Sequence, residues 1–173
     1  MVAIREEGSD DVSAVRAVSE QAFGQAFEAD LVDAIRARDL GALSLVAEDA
    51  GRVVGHILFT PVSVEAGRRS VAGMGLGPMS VVPHRQREGI GSALVMHGLD
   101  ILQRGGCPFV VVLGHAAYYP RFGFERASHY GVTSQWADVP DDAFMLLAFD
   151  LTSLEGAAGV ARYSDEFDSA ASS

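Results

Sequence analysis

The stretch PMSVVPHRQREGIGS occupies residues 78–92 and decides the fold. In it an apolar run ends, and a loop containing Gly89 and Gly91 opens a long amphipathic helix. The first N–H groups of a helix have no partner inside the helix, and its dipole favours an anion at that end. A phosphate can approach a glycine backbone closely, and Arg85 and Arg87 flank the same turn. The pattern favours a diphosphate here, although glycines at such a turn also serve packing alone.

The same turn completes neither of two common nucleotide-binding motifs. The dinucleotide fingerprint GxGxxG requires a third glycine, but Gly89-Ile90-Gly91 is followed by Ser92-Ala93-Leu94. The phosphate loop ending in GKS or GKT requires a lysine, and the chain has none. A second glycine-rich stretch, residues 73–77, does not open a helix. A nucleotide-binding protein that uses the turn in another way stays open at this point.

Residues 89–105 show the clearest helical pattern in the sequence. On a helical wheel one face combines apolar residues with a histidine, namely Ile90, Leu94, His97 and Ile101. We therefore expect His97 to point inward, as a core histidine rather than a ligand. The segment PFVVVL at residues 108–113 is continuously apolar and rich in β-branched residues, which predicts a strand covered on both faces.

The remaining sequence adds strands and helices in an irregular order. Apolar periodicity and turn residues predict strands at 2–5, 44–48, 52–64, 75–82, 124–127 and 143–151, and helices at 9–23, 26–38 and 116–122. Residues 128–142 are expected to form a loop. The order predicts an α/β (α+β) fold with a mixed sheet. Residues 1–151 are predicted as a single domain, and 152–173 as a C-terminal extension whose last residues, SAASS, are disordered.

Length and composition restrict the class of protein. The chain has 173 residues, of which 49% are apolar, enough for the buried core of one domain. No 18-residue apolar run occurs and the N-terminus is acidic, so we expect neither a membrane partner nor a secretion signal. The single Cys107 cannot form an internal disulfide, which favours the reducing cytoplasm, and its place before an apolar run is more typical of a core residue than of a nucleophile. The five histidines lack the short spacing of metal ligands, so no metal is expected.

The charges are distributed unevenly along the chain. The net charge of −10 argues against nucleic acid as a partner, because phosphate backbones require clustered basic residues. Residues 1–50 and 138–173 are strongly acidic, whereas residues 51–137 hold four acids and eight arginines. A basic centre between acidic flanks is consistent with a polyanionic cofactor in the middle and a cationic substrate near the flanks. Charges on a solvated surface would give the same pattern.

The segment Gln86–Gly91 matches the signature Q/R-x-x-G-x-G/A, and on this motif the chain resembles the GNAT superfamily of N-acetyltransferases. Ser44–His56 looks like the second and third strands of that family. Tyr119–Phe124 is similar to the Y-x-x-x-G-F element that follows its fifth strand. Order and spacing agree from about residue 3 to residue 151. The GPMSV-type strand and the YYPRFGF segment are most similar to a bacterial branch of predicted acetyltransferases.

The resemblance implies a fold, an activity and a co-substrate. The fold would be a mixed central sheet of about seven strands flanked by about four helices. The activity would be transfer of an acetyl or other short acyl group from acetyl-CoA to a primary amine of a small molecule or protein, without a metal. A homodimer is a possible assembly. A non-catalytic acyl-CoA-binding or regulatory domain is the alternative within the same family.

The resemblance also implies roles for single residues. The backbone of Met79 and Val81 would pair with the pantetheine arm and polarise the thioester carbonyl. The diphosphate would be held by Gln86, Arg87, Gly89, Gly91 and Ser92. Ser80, Glu88 and Ile90 complete the cofactor-binding segment. Tyr119 would protonate the departing thiolate, and Tyr118 is its nearest rival.

Two departures from the family pattern concern catalysis. Many members carry a carboxylate on the fourth strand that accepts the amine proton, but residues 75–80 contain no acid. The base would then be Glu48, His56 or His115, or the amine would arrive already neutral. The usual asparagine upstream of the motif tyrosine is replaced by a shortened connection at Gly114. The acceptor pocket would be formed by residues 23–40 and 128–142, which carry no diagnostic motif.

Overall fold

The computed structural model describes residues 1–171, which contain nine β-strands and five α-helices. The strands are β1 (Ala3–Glu6), β2 (Leu43–Asp49), β3 (Arg52–Ala66), β4 (Arg69–Val81), β5 (Phe109–Leu113), β6 (Glu125–Arg126), β7 (Val132–Ser134), β8 (Phe144–Ala148) and β9 (Gly159–Arg162). The helices are α1 (Val12–Phe23), α2 (Phe27–Arg38), α3 (Ile90–Arg104), α4 (Leu151–Leu154) and α5 (Glu166–Ala171). The mixed α/β class predicted from the sequence is confirmed.

The described chain divides into two compact units that each take part of the long strands β3 and β4. The first unit comprises Met1–Phe59 and Gly77–Ile101. The second comprises Thr60–Leu76 and the described residues from Leu102 onward. The single domain predicted over residues 1–151 stays a prediction.

In the first unit an antiparallel sheet supports helix α3. Strand β1 pairs with β2 in the register Ala3↔Glu48, and β2 pairs with β3 in the register Leu45↔Ile57. Helix α3 packs on this sheet at Gly55, where a Cβ would lie 3.1 Å from the side chain of Ile90. The absence of a side chain on β3 therefore sets how closely the start of α3 approaches the strands.

The buried face of α3 differs from the predicted one. Its buried residues are Ile90, Leu94, Val95, Gly98 and Leu99, and His97 is exposed. The prediction that His97 points inward is therefore wrong. The reason is Gly98, whose backbone lies against the ring of Phe59 so closely that a Cβ would overlap it. A helical wheel that counts apolar side chains gives a glycine no weight and so misplaces the face.

The second unit combines parallel and antiparallel pairing around its own core. Strands β4 and β5 are parallel in the register Gly75↔Val111, and β5 pairs antiparallel with β8 in the register Val111↔Leu146. The buried core of this unit includes Val62, Val64, Phe109, Val111, Val132, Phe144 and Leu146. The apolar segment at 108–113 is therefore a central strand, as predicted, with Phe109–Val112 buried.

Two strands of the second unit were not predicted. Strand β7 lies within the expected loop 128–142, and β9 lies beyond the strand expected to be last. Strand β9 pairs antiparallel with β3 in the register Ser63↔Arg162 and parallel with β7 in the register Val132↔Gly159. Gly159 allows this pairing because a Cβ there would overlap the carbonyl of Glu65. Such short segments form by pairing with a distant strand, which local periodicity does not report.

The C-terminal end is helical as far as it is described. Helix α5 covers Glu166–Ala171, whereas the predicted disorder of SAASS falls in part on Ser172 and Ser173, which lie outside the described residues. No helix among residues 1–171 is long and apolar enough to span a membrane.

Candidate active site

The turn between β4 and α3, in the first unit, has an unusual backbone. After β4 the chain makes a 3-10 turn at Pro83–Arg85 and reaches α3 at Ile90. Arg87 and Gly89 both adopt left-handed conformations, with φ of +67° and +85°. A left-handed arginine costs roughly 1–3 kcal/mol, and such residues concentrate at functional sites. Alternation of handedness orients successive N–H groups toward one concavity, which is a general anion-binding arrangement.

The start of α3 presents its amides to the same turn. The first helical hydrogen bond runs from the Ala93 N–H to the Gly89 carbonyl at 3.0 Å, so the amides before it have no carbonyl inside the helix. Apart from Gly89 itself and its two chain neighbours, no atom of the described residues lies within 4 Å of the position that a Cβ of Gly89 would occupy. The side chain of Ile90 is buried against Gly55, which leaves only its backbone for a ligand. Gly91 and Ser92 follow in the first helical turn.

The two arginines beside the turn have different roles. The Arg85 guanidinium donates to Glu88 at 2.6 Å and to Asp49 at 3.0 Å, and these carboxylates raise the pKa of Arg85. Glu88 is therefore committed to an ion pair that braces the turn. Arg87 is exposed and has no hydrogen bond or ion pair within the described part of the chain. Of the two arginines, Arg87 is the one available to an anion.

The end of β4 is fixed by Gln86. Its side-chain amide donates to the Val81 carbonyl at 3.0 Å, which closes the turn onto the strand. Met79 and Val81 are half-buried, whereas the Ser80 side chain between them is buried and its hydroxyl has no partner among residues 1–171. Ser80 can therefore meet a cofactor only through its backbone. The contact between Gln86 and Val81 brings the end of the predicted segment 79–81 next to the start of the predicted segment 86–92.

Tyr119 lies in the second unit, at the start of the 3-10 turn Tyr119–Phe122. Its side chain is only 8% exposed, and its ring packs edge to face on Phe124 at 5.8 Å and on Tyr118 at 5.0 Å. A Cβ at Gly114 would overlap the Tyr119 ring. The absence of a side chain at Gly114, in the shortened connection, thus makes room for the tyrosine.

The environment of Tyr119 determines its protonation. Burial, and to a lesser extent the charge of Tyr118, raise the pKa of Tyr119 to about 12. Because this pKa is far above physiological pH, the hydroxyl is neutral. It has no hydrogen-bond partner among the described residues, so it is available as a donor. Tyr118 is instead half-buried, and its ring lies under the Arg121 guanidinium at 4.5 Å. The structure therefore distinguishes the environments of the two tyrosines.

The three candidate bases occupy different surroundings. Glu48 accepts from the Arg5 guanidinium at 2.7 Å. His56 is 1% exposed, and its Nε2 lies 2.8 Å from the Ser44 hydroxyl and 3.6 Å from Glu7. His115 is exposed in the second unit. Glu48 and His56 therefore already have partners, and the identity of the base stays a prediction.

Sequence reasoning did not identify a cluster of three aromatic side chains, which lies in the second unit. Trp136 and Phe167 flank Tyr163, each with a ring-centroid separation of 5.1 Å. The three residues come from a loop, from the end of β9 and from α5, so no local pattern joins them. Within residues 1–171 no cluster of three or more histidine, cysteine or acidic side chains has a metal-binding arrangement.

Comparison of the sequence with known proteins identifies a family and two relatives. The acetyltransferase (GNAT) domain family matches residues 3–127, more than half of the chain. The uncharacterized N-acetyltransferase YjhQ of Escherichia coli K12 is 44% identical over 117 residues, which are 66% of this chain and 65% of that protein. The chain thus spans slightly under two thirds of the length of YjhQ. The uncharacterized N-acetyltransferase YhbS of the same strain is 33% identical over 166 residues, 95% of this chain and 98% of that protein.

Solved structures show the same likeness. The crystal structure of YhbS from Escherichia coli in complex with CoA has a TM-score of 0.89 at 33% identity, covering 96% of this chain and 92% of that chain. A GNAT family acetyltransferase from Brucella melitensis in complex with acetyl-CoA has a TM-score of 0.77 at 36% identity, covering 97% of this chain and 99% of that chain. The resemblance inferred from the signature and from the Y-x-x-x-G-F element is thereby confirmed. The chain belongs to the GNAT family of N-acetyltransferases.

Proposed function

We propose that this protein transfers an acetyl or other short acyl group from acyl-CoA to a primary amine. The observation that carries the proposal is the turn at residues 86–92. It combines a left-handed Arg87 and Gly89, open space at Gly89, and a helix start whose amides before Ala93 have no carbonyl inside the helix. These features fit the diphosphate of coenzyme A. The CoA and acetyl-CoA named in the structures of YhbS and of the Brucella melitensis protein support the same ligand.

The reaction needs hydrogen-bond donors at two atoms. The amine nitrogen attacks the thioester carbonyl carbon, and negative charge develops on the carbonyl oxygen. The new C–N bond forms in this attack. The C–S bond then breaks, and the sulfur leaves with the bonding pair and takes a proton. Backbone N–H groups at residues 79–81 are suited to the developing oxyanion. The products are an N-acylated amine and free CoA thiol.

Tyr119 is the donor we assign to the leaving sulfur. It is buried and neutral, with a pKa of about 12. The free thiol of CoA resembles a cysteine thiol, whose pKa is about 8.5. A complete transfer from Tyr119 to a free thiolate would therefore be uphill. Hydrogen-bond donation while the C–S bond breaks is the more favourable course, with the proton moving as the charge forms.

The acceptor amine must lose a proton before or during attack. The fourth strand offers no carboxylate, and Glu48 and His56 are engaged with Arg5 and Ser44. The proton therefore leaves through His115, through one of these engaged groups, or before the amine binds. The absence of a carboxylate on the fourth strand is also the observation that favours the second candidate function, a non-catalytic acyl-CoA-binding domain.

A turnover assay with thiol detection across a panel of primary amines tests the proposal. We expect free CoA thiol to appear only when acetyl-CoA and an accepted amine are both present, and mass spectrometry to find the acetylated amine. Acetyl-CoA binding with no turnover for any amine would favour the non-catalytic domain. A thermal shift with ATP or NAD but not with acetyl-CoA would contradict both candidates.

A further inference from the structure

A cavity of about 120 Å³ lies at the C-terminal end of helix α2, within the first unit. Its floor is apolar and consists of Val32 and Ile35 from α2 and Leu58 from β3, whose side chains are buried. Its rim is formed by the chain that leaves the helix, where Asp39 is exposed and Leu40 is half-buried. The cavity therefore combines an apolar floor with a rim that solvent reaches.

The carboxylate of Glu7 lines the wall of this cavity and is already paired. The Glu7 side chain is only 7% exposed. The Arg36 guanidinium lies 2.5 Å from one of its oxygens, and the Ser44 hydroxyl donates to the other. Because Glu7 and Arg36 neutralise each other, this pair alone does not select the charge of a ligand.

The charge at the rim belongs to Asp39. Its carboxylate has no ion pair or hydrogen bond within residues 1–171, whereas Arg36 and Arg38, in the last turn of α2, both have partners. Asp39 is left-handed, with φ of +47°, and its N–H closes the helix on the Arg36 carbonyl at 3.2 Å. The C-terminal end of a helix carries partial negative charge and favours cations. The free carboxylate and the helix end therefore attract the same sign of charge.

The wider surroundings of the cavity are also acidic. The ion pairs that link Glu7 with α1 and α2 form one network, which consists of Arg16, Arg36, Glu7, Glu20, Asp30 and Asp33. Four carboxylates against two guanidiniums leave two negative charges in this network, and Asp39 adds a third. The surplus stays negative even with a protonated His56, whose Nε2 lies 3.6 Å from Glu7. Such a surplus concentrates cations at the rim.

We infer that this cavity binds a small alkylammonium ion. The alkyl chain lies on the apolar floor formed by Val32, Ile35 and Leu58. The ammonium stays at the rim, where it pairs with Asp39 and remains partly hydrated. Because Asp39 is exposed, the ligand meets its charge partner without entering the buried part of the cavity. The site contains none of the residues that we assign to acetyl-CoA, so the inference goes beyond the proposed function and does not rest on it.

NMR titration of the ¹⁵N-labelled protein without acetyl-CoA tests the inference. The probe is n-butylammonium, and butan-1-ol and butyrate are its neutral and anionic counterparts of similar size. We expect saturable shifts of the amide signals of Leu40, Ala42 and Ser44, which line the cavity. Butan-1-ol should bind about 1.5- to 5-fold more weakly, the range of an exposed ion pair, and butyrate more weakly still.

Two matched variants distinguish the rim charge from the net charge of the protein. Asp39→Asn removes the charge but tolerates the left-handed backbone, so it should weaken n-butylammonium to the level of butan-1-ol. Asp10→Asn removes an exposed charge elsewhere in the first unit and should leave the affinity unchanged.

Three results would overturn the inference. The first is the absence of a saturable shift up to about 100 mM n-butylammonium, a concentration at which a ligand of this size should bind. The second is equal or tighter binding of butan-1-ol or butyrate by the wild type. The third is an unchanged n-butylammonium affinity in Asp39→Asn.

Discussion

Tyr119 and Gly114 illustrate how a single missing side chain positions a reactive group. The ring of Tyr119 occupies the space beside Gly114, and its other face is covered by Phe124. This packing orients the tyrosine and removes it from water, which raises the pKa of Tyr119 to about 12. The hydroxyl is consequently a permanent donor throughout the neutral range and suits a leaving thiolate better than it suits proton abstraction.

The substitution Tyr119→Phe should act on turnover more than on cofactor binding. It removes one hydroxyl and little volume, so acetyl-CoA affinity and melting temperature should change little. Loss of general acid assistance should lower the rate of thiol release by about 10²- to 10⁴-fold. The parallel variant Tyr118→Phe should be much milder, because that ring packs under Arg121. Near-full turnover in Tyr119→Phe with a loss in Tyr118→Phe would show that the acid is Tyr118.

Glu7 is a buried carboxylate whose charge contributes to stability. Burial alone would raise the pKa of Glu7, but the neighbouring His56 ring, the hydrogen bond from the Ser44 hydroxyl and the charge of Arg36 outweigh it and lower that pKa to about 2. A carboxyl with a depressed folded-state pKa stabilises the fold above its unfolded value near 4.3 and loses that contribution as pH falls toward 2. The charge partner of Glu7 is the Arg36 guanidinium, which lies 2.5 Å from the Glu7 carboxylate.

We therefore expect Glu7→Gln to lower the free energy of unfolding by up to about 3 kcal/mol at pH 7. The difference from the wild type should shrink steadily between pH 4 and pH 2, as urea unfolding at each pH would measure. Asp141→Asn, at an exposed ion pair, is the control and should have a small effect. A difference that is independent of pH would mean that shape, and not charge, stabilises this site.

At the scale of elements, the turn between β4 and α3 shows what sequence can predict. The signature residues Gln86, Gly89 and Gly91 predicted a turn before a helix, and the structure has that turn, because the spacing of glycines before a helix is a local property. The commitment of Arg85 to Asp49 was not predictable, since it joins residues 36 positions apart in the chain. The left-handed Arg87 was equally hidden, because sequence alone favours glycine for that conformation.

The unequal roles of the two arginines lead to a measurable difference. Arg87→Ala should weaken acetyl-CoA binding about two- to fivefold and reduce its salt dependence, because an exposed charge is screened at higher ionic strength. Arg85→Ala should mainly lower the melting temperature, because it breaks the contacts with Asp49 and Glu88. Calorimetry at 50 mM and 500 mM salt measures both effects. Wild-type affinity that is flat in salt would mean that the backbone alone holds the diphosphate.

Helix α3 and strand β9 mark the limit of sequence prediction for the fold. The extent of α3 was predicted to within a residue at each end, but its buried face was misplaced at His97 because Gly98 packs on Phe59. Strand β9 escaped notice because four residues with little periodicity form a strand only by pairing with β3 and β7. Properties fixed by neighbours in sequence were predictable, and those fixed by distant partners were not.

For the whole molecule, family membership and charge distribution both support acyl-CoA as the co-substrate. The GNAT family matches residues 3–127, and the basic middle of the chain contains the turn that we assign to the diphosphate. An overall charge of −10 is thus compatible with a polyanionic co-substrate, because eight of the 13 arginines lie within residues 51–137, the part of the sequence that contains the turn.

The central claim is that acetyl-CoA binds at the turn of residues 86–92, and calorimetry of the variant Gly91→Glu tests it most directly. The added side chain fills the first turn of α3 and repels a diphosphate. Met96→Glu adds the same charge to the same helix at a position that is 58% exposed, so it serves as the control. We predict saturable acetyl-CoA binding in the wild type and in Met96→Glu, and none in a folded Gly91→Glu. Unchanged affinity in Gly91→Glu, with a wild-type melting temperature, would contradict the account.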